Sequence, residues 1–389
     1  MEVASRMLHL GTDGAFEMLA QAQALESQGK EIIHLEIGDP DFPTPRHIVE
    51  AGMQALRDGM THYSATAGMP ELREAIALNS REIRGGDTEP GNVVVTPGTK
   101  PLVLYLLLAL AGPGVEIIYP DPGNPVYESL IRFAGASPVP VQLLEKNGYH
   151  PDLDALAGSI TDKTRVMILN SPGDPCGSVL TKQESEAIAS LVLKHPELYV
   201  LSDETYKDTL YAGEHHSISS IPGMRERTIV LDGFSKNYAM AGWRLGYGIL
   251  PEELVAPVVK LANNHISCTA TFTQHAGVAA LEGPQDCLHE MTAEFANRRR
   301  LIVDGLKSIP GVDCPEPEGA FYVFPSVKNT GMTSTEFQNR ALNEAGVALL
   351  SGAGFGDLGE GYVRLSYANS QENIIRAIDQ LDRFVRSST

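Results

Sequence analysis

The stretch Gly233–Gly248, GFSKNYAMAGWRLGYG, follows directly on the apolar run Thr228, Ile229, Val230 and Leu231. Apolar run, polar turn and second apolar run read as strand, turn, strand. Lys236 lies in the turn and Arg244 just ahead of the second run. A lysine at a strand end can be desolvated, which favours its neutral amine and suits Schiff-base chemistry with a carbonyl. An ordinary solvated lysine fits this stretch equally well, so the deciding signals lie outside it.

Four other apolar runs end the same way. VVV at 93–95 empties into TPGTK, EIIY at 116–119 into PDPGNPVY, VMIL at 166–169 into NSPGDPCG, and YVL at 199–201 into SDETY. Apolar strands alternating with helical stretches predict an α/β fold with a mainly parallel, doubly wound sheet. Ligands of such sheets bind beyond the carboxyl ends of the strands, so the five loops are expected to converge on one crevice.

Before the sheet, Phe16, Leu19, Ala20 and Ala24 space an apolar face for a helix within residues 11–28. A short strand from Ile32 to Ile37 then stops at Gly38, and prolines 40, 43 and 45 forbid regular structure. Tyr63 falls in a loop, and Pro70 opens a helix. After about residue 285 the pattern becomes a charged helix (Met291 to Leu306), GAFYVFP, another helix, YVRLSYAN and a terminal helix, which reads as a smaller α+β domain. The expected division is an N-terminal arm over 1–45 packing with the small domain, a large cofactor-binding domain over 46–285, and the C-terminal small domain over 286–389.

Composition bounds the function. A length of 389 residues suggests about two or three domains, and 43% apolar with 20% charged residues describes a globular chain. A formal charge of −19 argues against general attraction to nucleic acid or to an anionic membrane. Cys176, Cys268, Cys287 and Cys314 lack CxxC spacing, so no metal site and no disulfide framework is expected, and a reducing cytoplasm is the expected compartment. Glu2, Arg6, Asp13 and Glu17 interrupt the first twenty residues, which leaves no signal-peptide core, and no run reaches membrane-spanning length.

Taken in order, GDPDFPTP, GMPELREAI, TPGTK, NSPGDPCG, SDETY, GFSKNYAMAGWRLGY, GAFY and RLSYAN resemble the fold type I, class I/II aminotransferases that use pyridoxal 5′-phosphate (PLP), in the bacterial aspartate-aminotransferase-like subgroup. The resemblance runs from about Gly38 to Asn369 and implies amino transfer between an amino acid and a 2-oxo acid through a Lys236 aldimine. By the same resemblance Lys236 is nucleophile and general acid/base, Asp203 faces the pyridine nitrogen, and Tyr206 donates to the O3′ oxygen. Gly98, Thr99 and Lys100 at a helix start, with Ser235 and Arg244, are implied to hold the phosphate. Tyr63 would reach the phosphate of a neighbouring subunit, making a homodimer with a shared active site. Arg364, with Gly38 beside it, would clamp the substrate α-carboxylate, and an arginine inside an apolar strand is costly to bury without an anion.

Two positions depart from the family pattern. Asp174 stands where the family has an asparagine that donates to O3′, with Cys176 in place of its threonine, and Asn124 stands where an aromatic ring stacks on PLP. A carboxylate beside a phenolate oxygen is repulsive, so either Asp174 is protonated and donates or the local field raises the aldimine pKa. These departures leave open an alternative, a repurposed PLP enzyme of specialised biosynthesis performing β/γ-elimination, replacement, cyclisation or carbon–carbon bond formation on an amino acid such as S-adenosylmethionine. A non-catalytic regulator built on the same fold is a third reading, disfavoured by the presence of Lys236, Asp203 and Arg364.

Overall fold

The structure, a computed structural model, describes residues 3–11 and 14–388. After a short strand β1 (Ile33–His34), seven strands build the central sheet. They are β2 (Val93–Thr96), β3 (Glu116–Asp121), β4 (Ser137–Gln142), β5 (Thr164–Asn170), β6 (Tyr199–Asp203), β7 (Thr228–Gly233) and β8 (Gly246–Ile249), in the spatial order β2-β8-β7-β6-β5-β3-β4. The run from β7 through β6, β5 and β3 to β4 is parallel, whereas β8 is antiparallel to both β7 and β2. The fold is the expected mainly parallel α/β sheet, and the strand–turn–strand reading of Gly233–Gly248 corresponds to the β7–β8 hairpin.

Burial explains the strand sequences. Ile117, Val166, Ile168 and Leu201 enter the core on one face of the sheet, and their neighbours Ile118, Met167 and Val200 enter the core on the other. Alternate residues are thus apolar on both sides, as a sheet covered on both faces requires. β4 is the exception. Its sequence SPVPVQ is largely exposed, and Pro138 and Pro140 are tolerated because the strand lies at the sheet edge. The chain leaves β3 toward β4 on one side and leaves β5 toward β6 on the other, which opens a crevice between the loops after β3 and β5.

A second group of strands follows: β9 (Tyr322–Val323), β10 (Val347–Ala348), β11 (Leu350–Ser351) and β12 (Val363–Ser366). β11, β12 and β9 form an antiparallel sheet, and β10 pairs in parallel with β1. One core cluster joins Ile33 and Leu35 to Phe295, Ile302, Phe321, Leu365 and Leu381, so the segment before the central sheet packs with the segment after it. The helix Asp286–Lys307 is longer than the expected Met291–Leu306 stretch, and the terminal helix spans Gln371–Ser388.

Two N-terminal expectations change. The helix is Gly14–Glu26, and its buried residues are Ala15, Met18 and Ala22, while Phe16 is 61% exposed. Two alanines and Met18 form the packed face, and Phe16 and Leu19 line a cavity instead. Residues 12 and 13, inside the expected helical range, lie outside the described residues. The strand expected over Ile32–Ile37 shortens to β1 because the chain changes partners. Leu35 donates from its N–H to the Ala348 carbonyl at 2.9 Å, and its own carbonyl accepts from Ser366 at 2.7 Å. Among the described residues no helix is long and apolar enough to cross a membrane.

Candidate active site

The loops after β2, β3, β5, β6 and β7 all open into one cavity of about 840 Å³. Its wall includes Gly38, Gly98, Thr99, Lys100, Asn124, Asp174, Asp203, Tyr206, Ser235, Lys236, Arg244 and Arg364, residues drawn from widely separated parts of the sequence. Tyr63 is the candidate that the structure leaves out. It is 89% exposed and lies away from the cavity wall.

Lys236 follows β7 by three residues and points across the sheet ends to donate to the carbonyl oxygen of Gly38. Its Nζ lies 6.0 Å from the Tyr206 ring centre and 5.8 Å from that of Phe321. Burial lowers its pKa to about 8, Asp39 and Asp174 opposing the fall and Arg364 and Lys100 adding to it. Gly38 has no room for a side chain, since a Cβ there would sit 1.7 Å from the Tyr322 hydroxyl.

Asp203 closes β6, the strand beside β7. Tyr127 donates to its Oδ2 at 2.8 Å, and Thr205 donates to Oδ1 through its hydroxyl at 2.5 Å and its N–H at 3.2 Å. Burial raises the Asp203 pKa, and the bonds from Thr205 and Tyr127 oppose that rise without cancelling it. No helix follows the residue, so its side chain caps a turn and faces the cavity. The Tyr206 hydroxyl lies 2.7 Å from that of Tyr322, and burial, with Tyr322 and Asp174 adding to it, drives its pKa well above the ordinary phenol range. Tyr206 therefore keeps its hydroxyl proton.

At one end of the cavity the chain gathers Gly98, Thr99, Lys100 and Arg244. Thr99 precedes the helix Lys100–Leu110, and both Thr99 and Lys100 line the cavity at its N-terminal end, where the helix dipole is positive. Gly98 has φ +79°, and a Cβ on it would meet Arg244 Nη2 at 2.5 Å, so this glycine answers both a left-handed backbone and a close approach. Arg244 donates from Nη1 to the Ala241 carbonyl at 2.8 Å and keeps its guanidinium exposed.

At the other end Arg364 projects from β12 opposite Leu350 and is 5% exposed. Nη1 donates to Asp174 Oδ1 at 2.9 Å and Nη2 to the Glu36 carbonyl at 2.5 Å. The Tyr322 and Phe355 rings lie 4.5 and 5.0 Å from its Cζ. Asn124 donates to the second Asp174 oxygen at 3.0 Å. The two departures from the family pattern are thus bonded to each other and to Arg364, a linkage that spans 190 residues and that the loop sequences do not announce. Tyr127 and Tyr322 are further contributors that received no role from sequence, although PDPGNPVY and GAFY contain them. Phe16, Leu19 and Phe355 also line the cavity.

Residues 30–381 match the family Aminotransferase class I and II. The chain is 40% identical to an aspartate aminotransferase of Pyrococcus abyssi, covering 92% of each chain. It is also 40% identical to aromatic-amino-acid aminotransferase 2 of Thermococcus litoralis, covering 92% of this chain and 93% of that one. Its fold superposes on the aspartate aminotransferase from Thermus thermophilus with maleate at a TM-score of 0.94, with 34% identity over 99% of this chain and all of the other. With that match over most of its length and those relatives, the chain belongs to the aminotransferase class I and II family, enzymes of the transferase class.

Proposed function

We propose that this aminotransferase exchanges an amino group between an amino acid and a 2-oxo acid with PLP as cofactor, and that Lys236 is its nucleophile and proton carrier. The observation that carries the reading is the convergence of Lys236, Asp203 and Arg244 on one cavity from separate strand-end loops. The donor set fits the cofactor end for end: an anion cradle at Gly98, Thr99, Lys100, Ser235 and Arg244, a buried carboxylate at Asp203, a phenol at Tyr206, and between them an amine with a lowered pKa. Bound there, PLP supplies a carbonyl carbon that accepts nitrogen and a ring that draws electron density from the substrate Cα.

The chain supplies the rest. With a pKa of about 8, a minor fraction of Lys236 is already a neutral amine at neutral pH, able to attack a carbonyl and then to take a proton from Cα and return it elsewhere. Asp203, fixed by Tyr127 and Thr205, holds a proton at the ring nitrogen. Tyr206 donates to the O3′ oxygen, the cradle grips the phosphate, and Arg364 orients the far end of the substrate. We assign 1–45 to an arm packing with the small domain, 46–285 to the PLP-binding domain and 286–389 to the small domain, supported by the core that Ile33 and Leu35 share with the C-terminal third. A homodimer in which Tyr63 completes the neighbour's phosphate site accounts for a tyrosine that is 89% exposed on one chain. Four free cysteines support a cytoplasmic setting.

Incubation with amino-acid pools and S-adenosylmethionine, followed by absorbance and mass spectrometry, tests the reading. The amine form of the cofactor together with a 2-oxo acid is expected. Expulsion of a leaving group with the cofactor unchanged would instead favour elimination or replacement, readings that find no support among the relatives named above.

A further inference from the structure

The arginine expected to receive the substrate carboxylate already holds one from its own chain. Arg364 directs Nη1 at Asp174 and Nη2 at the Glu36 carbonyl, while its Nε is buried with no partner among the described residues. Asp174 is itself 6% exposed and held from its other side by the Asn124 amide, and its own N–H donates to Asn170 at 2.8 Å. Three elements therefore fix the pair: the loops after β3 and β5, and β12. With an asparagine at position 174 this end of the cavity would present a net positive charge. With Asp174 the guanidinium is neutralised and one edge of its fork is taken.

An incoming carboxylate would have to displace a buried carboxylate or lie against it, and like charges at hydrogen-bond range in a low-dielectric site repel strongly. Beside the polar partners of the pair, apolar groups line this end of the cavity. Leu350 faces Arg364 across the strand pair, Phe355 covers the guanidinium, and Ile37 lines the cavity beside Gly38. We propose that Asp174 is a specificity-determining residue that weakens the hold of Arg364 on free α-carboxylates, so that among amino donors a primary amine lacking one is preferred. Such an amine, with an uncharged body, is the favoured partner, and the α-amino acid is the weakly held one because it competes with Asp174 for Arg364.

The chemistry balances without an external oxidant. R–CH2–NH2 and a 2-oxo acid become R–CHO and an α-amino acid, so the amine carbon gives up the two electrons that reduce the keto carbon and the nitrogen moves between them, with the 2-oxo acid, like the amino acid, the weakly held partner at Arg364. The inference rests on the aminotransferase reading, and its test separates the two. Wild type and Asp174→Asn, both loaded with PLP, are compared with 2-phenylethylamine and L-phenylalanine, which share a body and differ in the carboxylate. Binding of 3-phenylpropionate, an inert carboxylate, is measured in parallel by calorimetry.

The wild type is expected to give a kcat/KM for the amine at least equal to that for the amino acid. In Asp174→Asn the amino-acid-to-amine ratio is expected to rise by roughly ten- to a hundredfold, with 3-phenylpropionate binding tighter by a similar factor. An unchanged ratio, or equal 3-phenylpropionate affinity in the two proteins, would overturn the proposal. If neither substrate alters the bound cofactor, the aminotransferase reading fails, while the calorimetric comparison still decides the role of Asp174.

Discussion

Lys207 and Lys236 sit on neighbouring loops, after β6 and β7, both drawn away from water, and their surroundings push them in opposite directions. Burial lowers the pKa of each. At Lys207 the carboxylates of Asp208, 2.6 Å away, and Asp232, 3.2 Å away, outweigh it and hold the ammonium above the ordinary lysine range. At Lys236 the near partner is a carbonyl, and the pKa falls to about 8. Burial by itself does not make an amine nucleophilic. What matters is whether a carboxylate is within reach to keep the charge.

The Lys207 side belongs to a buried network of ion pairs and hydrogen bonds. Arg84 donates to Glu204 at 2.8 Å and to Asp232 at 2.7 Å. His215, Ser202 and Ser217 complete Glu204, and Tyr247 and the Gly233 N–H complete Asp232. Burial pushes the Glu204 carboxyl up, but Arg84 and His215 outweigh it and hold it far below the usual carboxylate range. Both oxygens of Glu204 and of Asp232 have protein donors, so the network braces the floor from which Lys236 springs. The cavity side keeps donors to spare, at Arg244 and at Arg364 Nε.

The contrast can be broken by substitution, and the largest effect is expected at Lys236. Lys236→Ala should lower turnover at least about a hundredfold, the loss typical of removing a group that moves a proton, while the urea midpoint stays close to wild type. Arg84→Met should do the reverse. It leaves two carboxylates buried and should cost about 3–5 kcal/mol in chemical denaturation. Because Glu204 and Asp232 have depressed folded pKa values, their contribution is present above the ordinary carboxylate range and is lost as pH falls below it, so Arg84→Met should also flatten the acid limb of the stability curve.

A smaller and finer difference lies in pH. A lysine reacts as the neutral amine, so modification of Lys236 in the cofactor-free protein by a carbonyl reagent should rise with a midpoint near pH 8, with Lys207 unreactive throughout. The folded pKa of Lys236 is lowered, so between about 8 and 10.5 the unfolded chain binds more protons and stability should climb with pH. Equal labelling of the two lysines would remove the distinction between them.

Much of this was legible in the sequence because it depends on short-range pattern. Apolar runs ending in Gly/Pro loops locate strand ends, and strand ends of a parallel sheet share one edge, so Lys236, Asp203 and Thr99 could be brought together without coordinates. The partners of Asp174 could not. Arg364 lies 190 residues away and meets it only because β12 is carried over the sheet ends. The orientation of the N-terminal helix was also hidden, since apolar residues occur on two of its sides and only packing decides that Ala15, Met18 and Ala22 face inward while Phe16 faces the cavity. Tyr127 and Tyr322 stood in quoted motifs, yet a tyrosine beside an apolar run reads as core until its hydroxyl finds Asp203 or Tyr206.

The central claim is that one lysine of this chain carries the cofactor. Incubation with PLP, reduction with borohydride, digestion and peptide mass mapping measures it directly. The cofactor mass is expected on the peptide containing Lys236 and on no other, with an Asp203→Ala protein labelled at the same residue. Label on Lys207 or Lys100, or no stable label at all, would contradict it.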